Sequence, residues 1–338
     1  MNKFFTIACL IFCVNSIAQK IELIEINPLS LRYDKNLPFS RIEVIDSRYD
    51  TTKIGYSPKS FSFKKLNVAP SFSTGLQNCL NASLKSNFDQ SKSETLLIVI
   101  KNFWIKDALT KDQSELGSQC TAKLELYLRN DSSYFPIVRI DTVFTFGEPL
   151  RNGLSDLILL PFQQSLMQLQ SIDFGKVYGI KKLKWKDIED FNERRFQKPI
   201  YSANIQRGIY LTFKDFLENN LDNRDFEIQF GKLTDQLYLV DKDSKEIFTD
   251  FWAVCDGNKL YINSNLNFYE LVRIDKGFEF WANAELIGHT YPSQFRTQNA
   301  SAQSIAQGLG NYGMQKLLTP KSNYLRPFQV NMENGSVY

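Results

Sequence analysis

The sequence predicts an α+β fold, in which an N-terminal antiparallel sheet with two helices is followed by a mostly antiparallel β domain. In the first half, two segments place apolar residues at three- and four-residue spacing, as amphipathic helices do. The segments between them alternate apolar and polar residues, as half-buried strands do. The second half carries short strand-like segments about ten residues apart, separated by polar turns. Aromatic residues form 14% of the chain, which also favours β structure.

The first eighteen residues predict a secretory signal peptide. A positive start precedes an apolar run over residues 4–14, and Ser16 and Ala18 supply the small residues before a cut at Gln19. The run is too short to anchor the chain across a bilayer. Lipidation at Cys9 is the alternative, but only about five apolar residues precede it, fewer than an h-region contains. We therefore expect a secreted protein that is periplasmic, outer-membrane-associated or extracellular.

The remaining length predicts two domains. We expect a signal peptide at 1–18, an α+β domain at 19–172, a connector at 173–205 and a β-rich domain at 206–338. Signal cleavage removes one lysine and no acid, so the formal charge falls from +3 to +2. That balance is unlike the basic surface of a nucleic-acid-binding protein. No later segment is apolar for long enough to predict a transmembrane anchor.

The α+β domain contains the following elements in order. Alternation predicts strands at 21–26 and 41–46, and apolar spacing predicts a helix that begins near Ser71. The next strand is apolar at every position from Leu96 to Ile100, which predicts cover on both of its faces. A hairpin at 121–146 and a helix at 153–172, with Pro161 at a kink or in the first turn, complete the domain.

The connector contains a predicted short helix at 185–196, and the β-rich domain follows it. A strand at 208–213 precedes a short helix or turn, and Asp-Gly and Lys-Gly steps mark tight turns between later strands. The further predicted strands are 226–230, 236–240, 251–255, 260–262, 268–274, 278–284 and 328–332.

The rarity of catalytic residue types excludes several chemistries. His289 is the only histidine, so a multi-histidine metal site is impossible, and no Gly-x-Ser-x-Gly motif accompanies it. The mature chain keeps Cys79, Cys120 and Cys255, an odd set without close spacing that predicts buried thiols, with a Cys79–Cys120 bridge as the alternative. Phosphate-binding and dinucleotide-binding glycine motifs are missing. We expect no catalytic residue, metal or cofactor, and a non-enzymatic protein.

Two groups of residues are candidate binding sites. Asp46, Arg48 and Asp50 cluster at a strand end, where they form either a binding loop or an ion-paired turn. Their spacing matches no calcium loop, which favours the ion-paired turn. Aromatic residues of the β domain are the second group, forming either a stacking platform for a sugar or peptide or an inward-facing core. Its candidate residues are Trp252, Tyr261 and Trp281.

Two resemblances support a place at the cell envelope. The segments 208–216, 251–263 and 268–269 resemble a pattern in uncharacterised secreted proteins of Bacteroidota, which implies no activity. Residues 44–48, followed by Ile54-Gly55, a helix and an apolar strand, are similar to YajG-like envelope lipoproteins and transport auxiliary components. That similarity implies a small α+β domain at the envelope, although this chain lacks the lipoprotein cysteine motif.

These observations together predict an envelope-associated protein that binds another envelope protein. The contact would use an exposed strand edge or the aromatic face of the β domain. The alternatives are a small-ligand carrier, which needs an apolar cavity, and a hydrolase of envelope polymers that uses paired carboxylates. The residues indicate no particular oligomeric state.

Overall fold

The computed structural model describes residues 21–59, 62–109, 115–146, 150–202, 204–230, 237–248, 250–264, 267–283 and 325–337. Its helices and mainly antiparallel sheets confirm the predicted α+β class. The chain divides into two compact units between Lys182 and Leu183. The predicted signal peptide and His289 lie outside the described residues. Among the residues that are described, no helix is long and apolar enough to cross a membrane.

The described residues of the first unit form seven strands and three α-helices. Its strands are β1 (Ile21–Ile24), β2 (Arg41–Asp46), β3 (Gly55–Lys59), β4 (Ser62–Val68), β5 (Thr95–Leu109), β6 (Glu115–Asn130) and β7 (Ser133–Phe146). Its helices are α1 (Phe72–Ser83), α2 (Leu150–Leu169) and α3 (Phe174–Val177), and a 3-10 turn covers Pro28–Ser30.

The seven strands form one sheet in the order β1-β4-β3-β5-β6-β7, with β2 also beside β5. The β3–β4, β5–β6 and β6–β7 pairs are antiparallel, whereas β1 is parallel to β4 and both β2 and β3 are parallel to β5. The sequence did not predict these three parallel pairings, because alternation in a strand identifies its faces and not the direction of its neighbour.

β2 and β3 lie one after the other along the same edge of β5. Residues 41–46 of β2 pair with 95–100, and Gly55 at the start of β3 pairs with Ile105. A Cβ atom on Gly55 would lie 2.2 Å from the carbonyl oxygen of Ile105, so this approach requires glycine. The loop between β2 and β3 therefore runs beside the middle of β5.

α1 and α2 contribute to one buried core with one face of the sheet. Ser71 caps α1 by accepting a hydrogen bond from the Thr74 N–H at 3.3 Å. The helices bury apolar stripes close to those predicted, with Phe72, Leu76 and Leu80 in α1 and Leu157, Phe162, Leu166 and Leu169 in α2. Pro161 lies within α2, and the non-helical residue is Gly153. Residues 96–100 of β5 are all buried, which agrees with the predicted cover on both faces.

In the second unit, the residues that the structure describes form nine strands and three helices. Its helices are α4 (Trp185–Phe196), α5 (Pro199–Ser202) and α6 (Phe213–Glu218). Its strands are β8 (Gly208–Tyr210), β9 (Phe226–Phe230), β10 (Leu237–Asp241), β11 (Ile247–Phe248), β12 (Ala253–Cys255), β13 (Leu260–Ser264), β14 (Asn267–Ile274), β15 (Gly277–Asn283) and β16 (Leu325–Gln329).

These nine strands form two antiparallel sheets. A six-stranded sheet has the order β16-β15-β14-β13-β12-β8, and a three-stranded sheet has the order β11-β10-β9. Tight turns follow β10 and β12, the second at the predicted Asp-Gly step: Asp241 accepts two backbone hydrogen bonds at 2.8 Å, and Asp256 accepts two at 2.7 Å. The segment predicted as a connector, 173–205, contains helices that belong to both units.

Candidate functional site

The loop between β2 and β3 holds the first group of candidate residues. Asp46 and Arg48 form a two-pronged ion pair, in which Arg48 Nε lies 2.8 Å from Oδ1 and Nη2 lies 2.7 Å from Oδ2 of Asp46. Arg48 Nη1 also donates to the Lys53 carbonyl at 2.6 Å, and the guanidinium lies 4.7 Å from the centre of the Phe72 ring. Only 3% of Arg48 is exposed. Arg48 therefore joins the loop to the core.

Asp50 faces a different cation in the same loop. Its Oδ2 lies 2.5 Å from Lys53 Nζ, while its Oδ1 accepts hydrogen bonds from the Thr52 N–H at 2.9 Å and hydroxyl at 2.6 Å. Asp50 is 3% exposed and Lys53 is 1% exposed. Burial raises the pKa of Asp50, but the Lys53 charge and the hydrogen bonds outweigh it, so this pKa lies below its usual value.

A third ion pair lies where β5 is irregular. The register of β5 with β6 shifts between Ile100 and Asn102, and Lys101 occupies the extra position. Lys101 Nζ lies 3.2 Å from Glu125 Oε2, which also accepts a hydrogen bond from the Tyr127 hydroxyl at 2.9 Å. Burial, followed by the nearby Glu125 charge, raises the Tyr127 pKa. These residues could not be identified from the sequence as an interacting group, because their spacing matches no motif.

The charges beside the middle of β5 are therefore arranged as closed ion pairs. The structure places Asp46 at the end of β2 and Arg48 and Asp50 in the loop after it, and each carboxylate contacts its own cation. Within the described ranges, no group of three or more His, Cys, Asp or Glu side chains is placed to hold a metal ion. The contacts of this loop are those of the ion-paired turn, the alternative that the residue spacing favours.

The structure separates Trp252 from the other two aromatic candidates. Trp252 is buried, and its ring centre lies 4.5 Å from Phe216 and 5.1 Å from Phe213, both in α6. Phe216 also meets the ring of Phe278 at 5.0 Å. Trp252 thus belongs to the layer between α6 and the six-stranded sheet.

Tyr261 and Trp281 lie on the opposite face of that sheet. Tyr261 pairs with Glu270 and Leu271 pairs with Phe280. Paired residues share a face, and successive side chains of a strand point to opposite faces. Tyr261 and Glu270 therefore share one face with Trp281, whereas Leu271 and Phe280 point to the other face, which packs against the helices. This face is covered at its β8–β12 end, where Ile209 and Val254 share a buried cluster with three residues outside the six-stranded sheet, Phe226, Leu239 and Phe251.

The β14–β16 end of the same face carries exposed apolar side chains. Val272 is 45% exposed and Leu325 is 53% exposed. In the strand register they pair with Glu279 and Asn283, the positions two residues before and after Trp281, which are on the same face as Trp281. We call this surface the outer face and define it by Tyr261, Glu270, Val272, Trp281, Leu325 and Pro327. The sequence did not predict a role for Val272 and Leu325. Alternation along 267–274 is enough to put Val272 on one face with Glu270, but only the strand register shows that Leu325 shares that face.

The three cysteines that remain after the predicted signal peptide are free thiols. Cys79, Cys120 and Cys255 are all buried, and burial raises the pKa of each. A raised pKa keeps a thiol protonated and weakly nucleophilic. The buried-thiol interpretation of the sequence therefore agrees with the structure, and the Cys79–Cys120 bridge is not formed.

No family of known proteins, no curated protein and no solved structure matches this chain in the comparisons.

Proposed function

We propose that this chain is a non-enzymatic component of the cell envelope that binds another envelope protein through the outer face. One observation carries the proposal: the outer face places exposed Val272 and Leu325 beside half-buried Trp281 on a regular antiparallel sheet. Exposed apolar side chains grouped on one face of a sheet, beside an aromatic residue, are typical of interaction sites. Aromatic residues are also enriched at the centres of protein interfaces.

The polar residues of the outer face suit a protein partner. Glu270 is exposed and forms an ion pair with Lys259 at 2.7 Å, which places charge beside the apolar side chains. An apolar centre with a charged margin is typical of protein interfaces. The charged loop of the first unit supports this choice of surface, because Arg48 and Asp50 are buried and form ion pairs with Asp46 and Lys53.

The proposed location depends on the N-terminal segment. Cleavage before Gln19 would leave β1, which begins at Ile21, intact. The signal peptide and the two resemblances therefore support a secreted protein that works in the periplasm, at the outer membrane or outside the cell. The YajG-like similarity in residues 44–48 favours attachment to an envelope assembly.

The test is a comparison of captured proteins from cells that secrete tagged wild type or tagged Val272→Arg. Val272 is exposed, so arginine at this position should leave the fold intact while placing charge in the apolar surface. We expect wild type to retain a reproducible envelope protein that Val272→Arg loses. Lys245→Glu, in the exposed turn before β11, is the control and should retain the partner.

Equal capture by all three proteins would contradict the proposal, as would capture of nothing by wild type. In that case the two alternatives from the sequence, a small-ligand carrier and a carboxylate-dependent hydrolase, become the hypotheses to test.

A further inference from the structure

Among the described residues, β7 is an edge strand of the first sheet. In the part of the chain that the structure describes, β6 is the only strand that pairs with β7. The edge of β2 is different, because side chains of α1 cover it: Asn81 accepts from the Ile42 N–H and Gln77 from the Val44 N–H, both at 2.9 Å. An edge without such cover is a template for pairing with another chain.

The charges along β7 have a specific arrangement. Arg139 and Asp141 are two residues apart, so they point to the same face of the sheet, and both are exposed. In the register with β6, Arg139 lies opposite Glu125 and Asp141 lies opposite Lys123, whose Nζ is 3.4 Å from the Asp141 carboxylate. In the first pair the acid is on β6 and the base on β7, and in the second pair the base is on β6 and the acid on β7.

We propose that a second copy of this chain adds to this edge, β7 against β7 and antiparallel, about a twofold axis at Ile140. This register places Arg139 of each copy opposite Asp141 of the other. The charges then alternate in sign across four strands, in the order Glu125, Arg139, the partner's Asp141 and the partner's Lys123. Opposite charges directly across an antiparallel pair are stabilising.

The same charges select this register over its neighbours. A shift that moves the twofold axis by one residue places Arg139 opposite its own copy or Asp141 opposite its own copy, and like charges in direct opposition are destabilising. A twofold interface needs a self-complementary surface, which one base and one acid flanking a central residue provide. A single-sign edge would repel a second copy, which is how edge lysines protect monomeric sheets.

An apolar residue extends the contact. Val143 follows Asp141 on the same face of β7 and is 51% exposed. Ile137, its counterpart across the twofold axis, is the extra residue of a bulge in β7 and packs against the buried core, so the regular joined segment covers residues 138–142 and Val143 flanks it at each end. This inference does not depend on the outer face, which belongs to the second unit.

Sedimentation velocity of the full mature chain, at about 1 to 100 µM, tests the proposal across the range of a micromolar Kd. We expect wild type to form a dimer that higher salt weakens. Arg139→Asp places two acids on each edge and Asp141→Arg places two bases, so each variant should dimerise about 10- to 100-fold more weakly. Lys85→Glu, an exposed position after α1 with the same charge change as Arg139→Asp, should dimerise as wild type does.

A mixture of the two variants tests the register most directly. The two acids of Arg139→Asp meet the two bases of Asp141→Arg, so an equimolar mixture should recover a heterodimer. Circular dichroism melting of each variant shows that it is folded. A wild type that stays monomeric at about 100 µM, a pair of variants that dimerise normally, or a mixture that stays monomeric would each overturn the proposal.

Discussion

Asp50 shows how a candidate binding residue can instead stabilise a fold. Its carboxylate forms a buried ion pair with Lys53 at 2.5 Å and accepts two hydrogen bonds from Thr52. A buried ion pair adds little net stability over an apolar pair of the same volume, but removal of one partner leaves a charge without compensation. The pair therefore defines the path of the loop beside β5 more than it increases the overall free energy of unfolding.

Replacement of Asp50 should be costly for that reason. We expect Asp50→Asn to lower the free energy of unfolding by about 3–5 kcal/mol, because Lys53 would stay buried without its carboxylate. Urea unfolding measures the loss. Asp34→Asn, which removes the carboxylate of an exposed pair with Lys35, is the matched control and should change little. An equally small effect at Asp50 would contradict the role of the ion pair.

The same carboxylate predicts a pH dependence. The pKa of Asp50 is lowered in the folded state, so its contribution is fully present above the unfolded-state pKa of about 3.9. That contribution is lost as the pH falls through the folded-state pKa, where wild type takes up a proton and comes to resemble Asp50→Asn. The stability difference between the two proteins should therefore shrink on acidification below about pH 4. A difference that stays constant would contradict this linkage.

At the scale of elements, one glycine controls how β3 joins the sheet. A Cβ atom on Gly55 would overlap the Ile105 carbonyl oxygen at 2.2 Å, whereas a Cβ atom on Gly257 would have space, with the nearest atom at 3.8 Å. Both residues have positive φ, so alanine strains the backbone at each. Gly55→Ala should therefore cost more stability than Gly257→Ala, which we expect to cost about 1–2 kcal/mol. Thermal unfolding compares the two, and equal losses would show that the close approach adds nothing.

The sequence predicted individual elements better than their partners. The helix at 185–196 and the strand from Thr95 follow from local spacing, and the structure places both there. The last strand is Leu325–Gln329, about three residues earlier than predicted, because Pro327 discourages a strand prediction although it fits on an edge. The parallel pairs of β1 and β2 depend on contacts distant in sequence, which alternation cannot supply.

The candidate sites show the same limit. The Asp46, Arg48 and Asp50 cluster was predictable because its members are close in sequence. The separation of Trp252 from Tyr261 and Trp281 could not be predicted. It depends on the register of the strands, which determines the face of the sheet on which each side chain lies. The position of Lys101 could not be predicted, because a bulge in β5 that has no sequence signature places it beside Glu125.

At the scale of the whole molecule, the division between the two units predicts where the chain can be cut. Val177 belongs to the core of the first unit, and Tyr178 donates to Glu94 at 2.6 Å and packs against Phe135 at 5.2 Å. A fragment of residues 19–182 should therefore fold cooperatively, whereas residues 19–172 should be less stable by about 2 kcal/mol or more, through loss of a buried side chain. Chemical unfolding of both fragments measures this, and equal stabilities would contradict the boundary at Lys182.

The proposed location has its own test. We expect the protein recovered from a secreting bacterial host to begin at Gln19, as determined by N-terminal sequencing, and to fractionate outside the cytoplasm. Recovery of an intact N-terminus from the cytoplasm would contradict the signal peptide.

The most direct test of protein binding by the outer face is site-specific photo-crosslinking in living cells. A photoreactive amino acid at Val272, in the exposed part of the outer face, should join the chain to one envelope protein, which mass spectrometry identifies. The same amino acid at Lys245, exposed in the same unit, should not form this product. A product at Lys245 equal to that at Val272, or no product at Val272, would contradict the proposed binding surface.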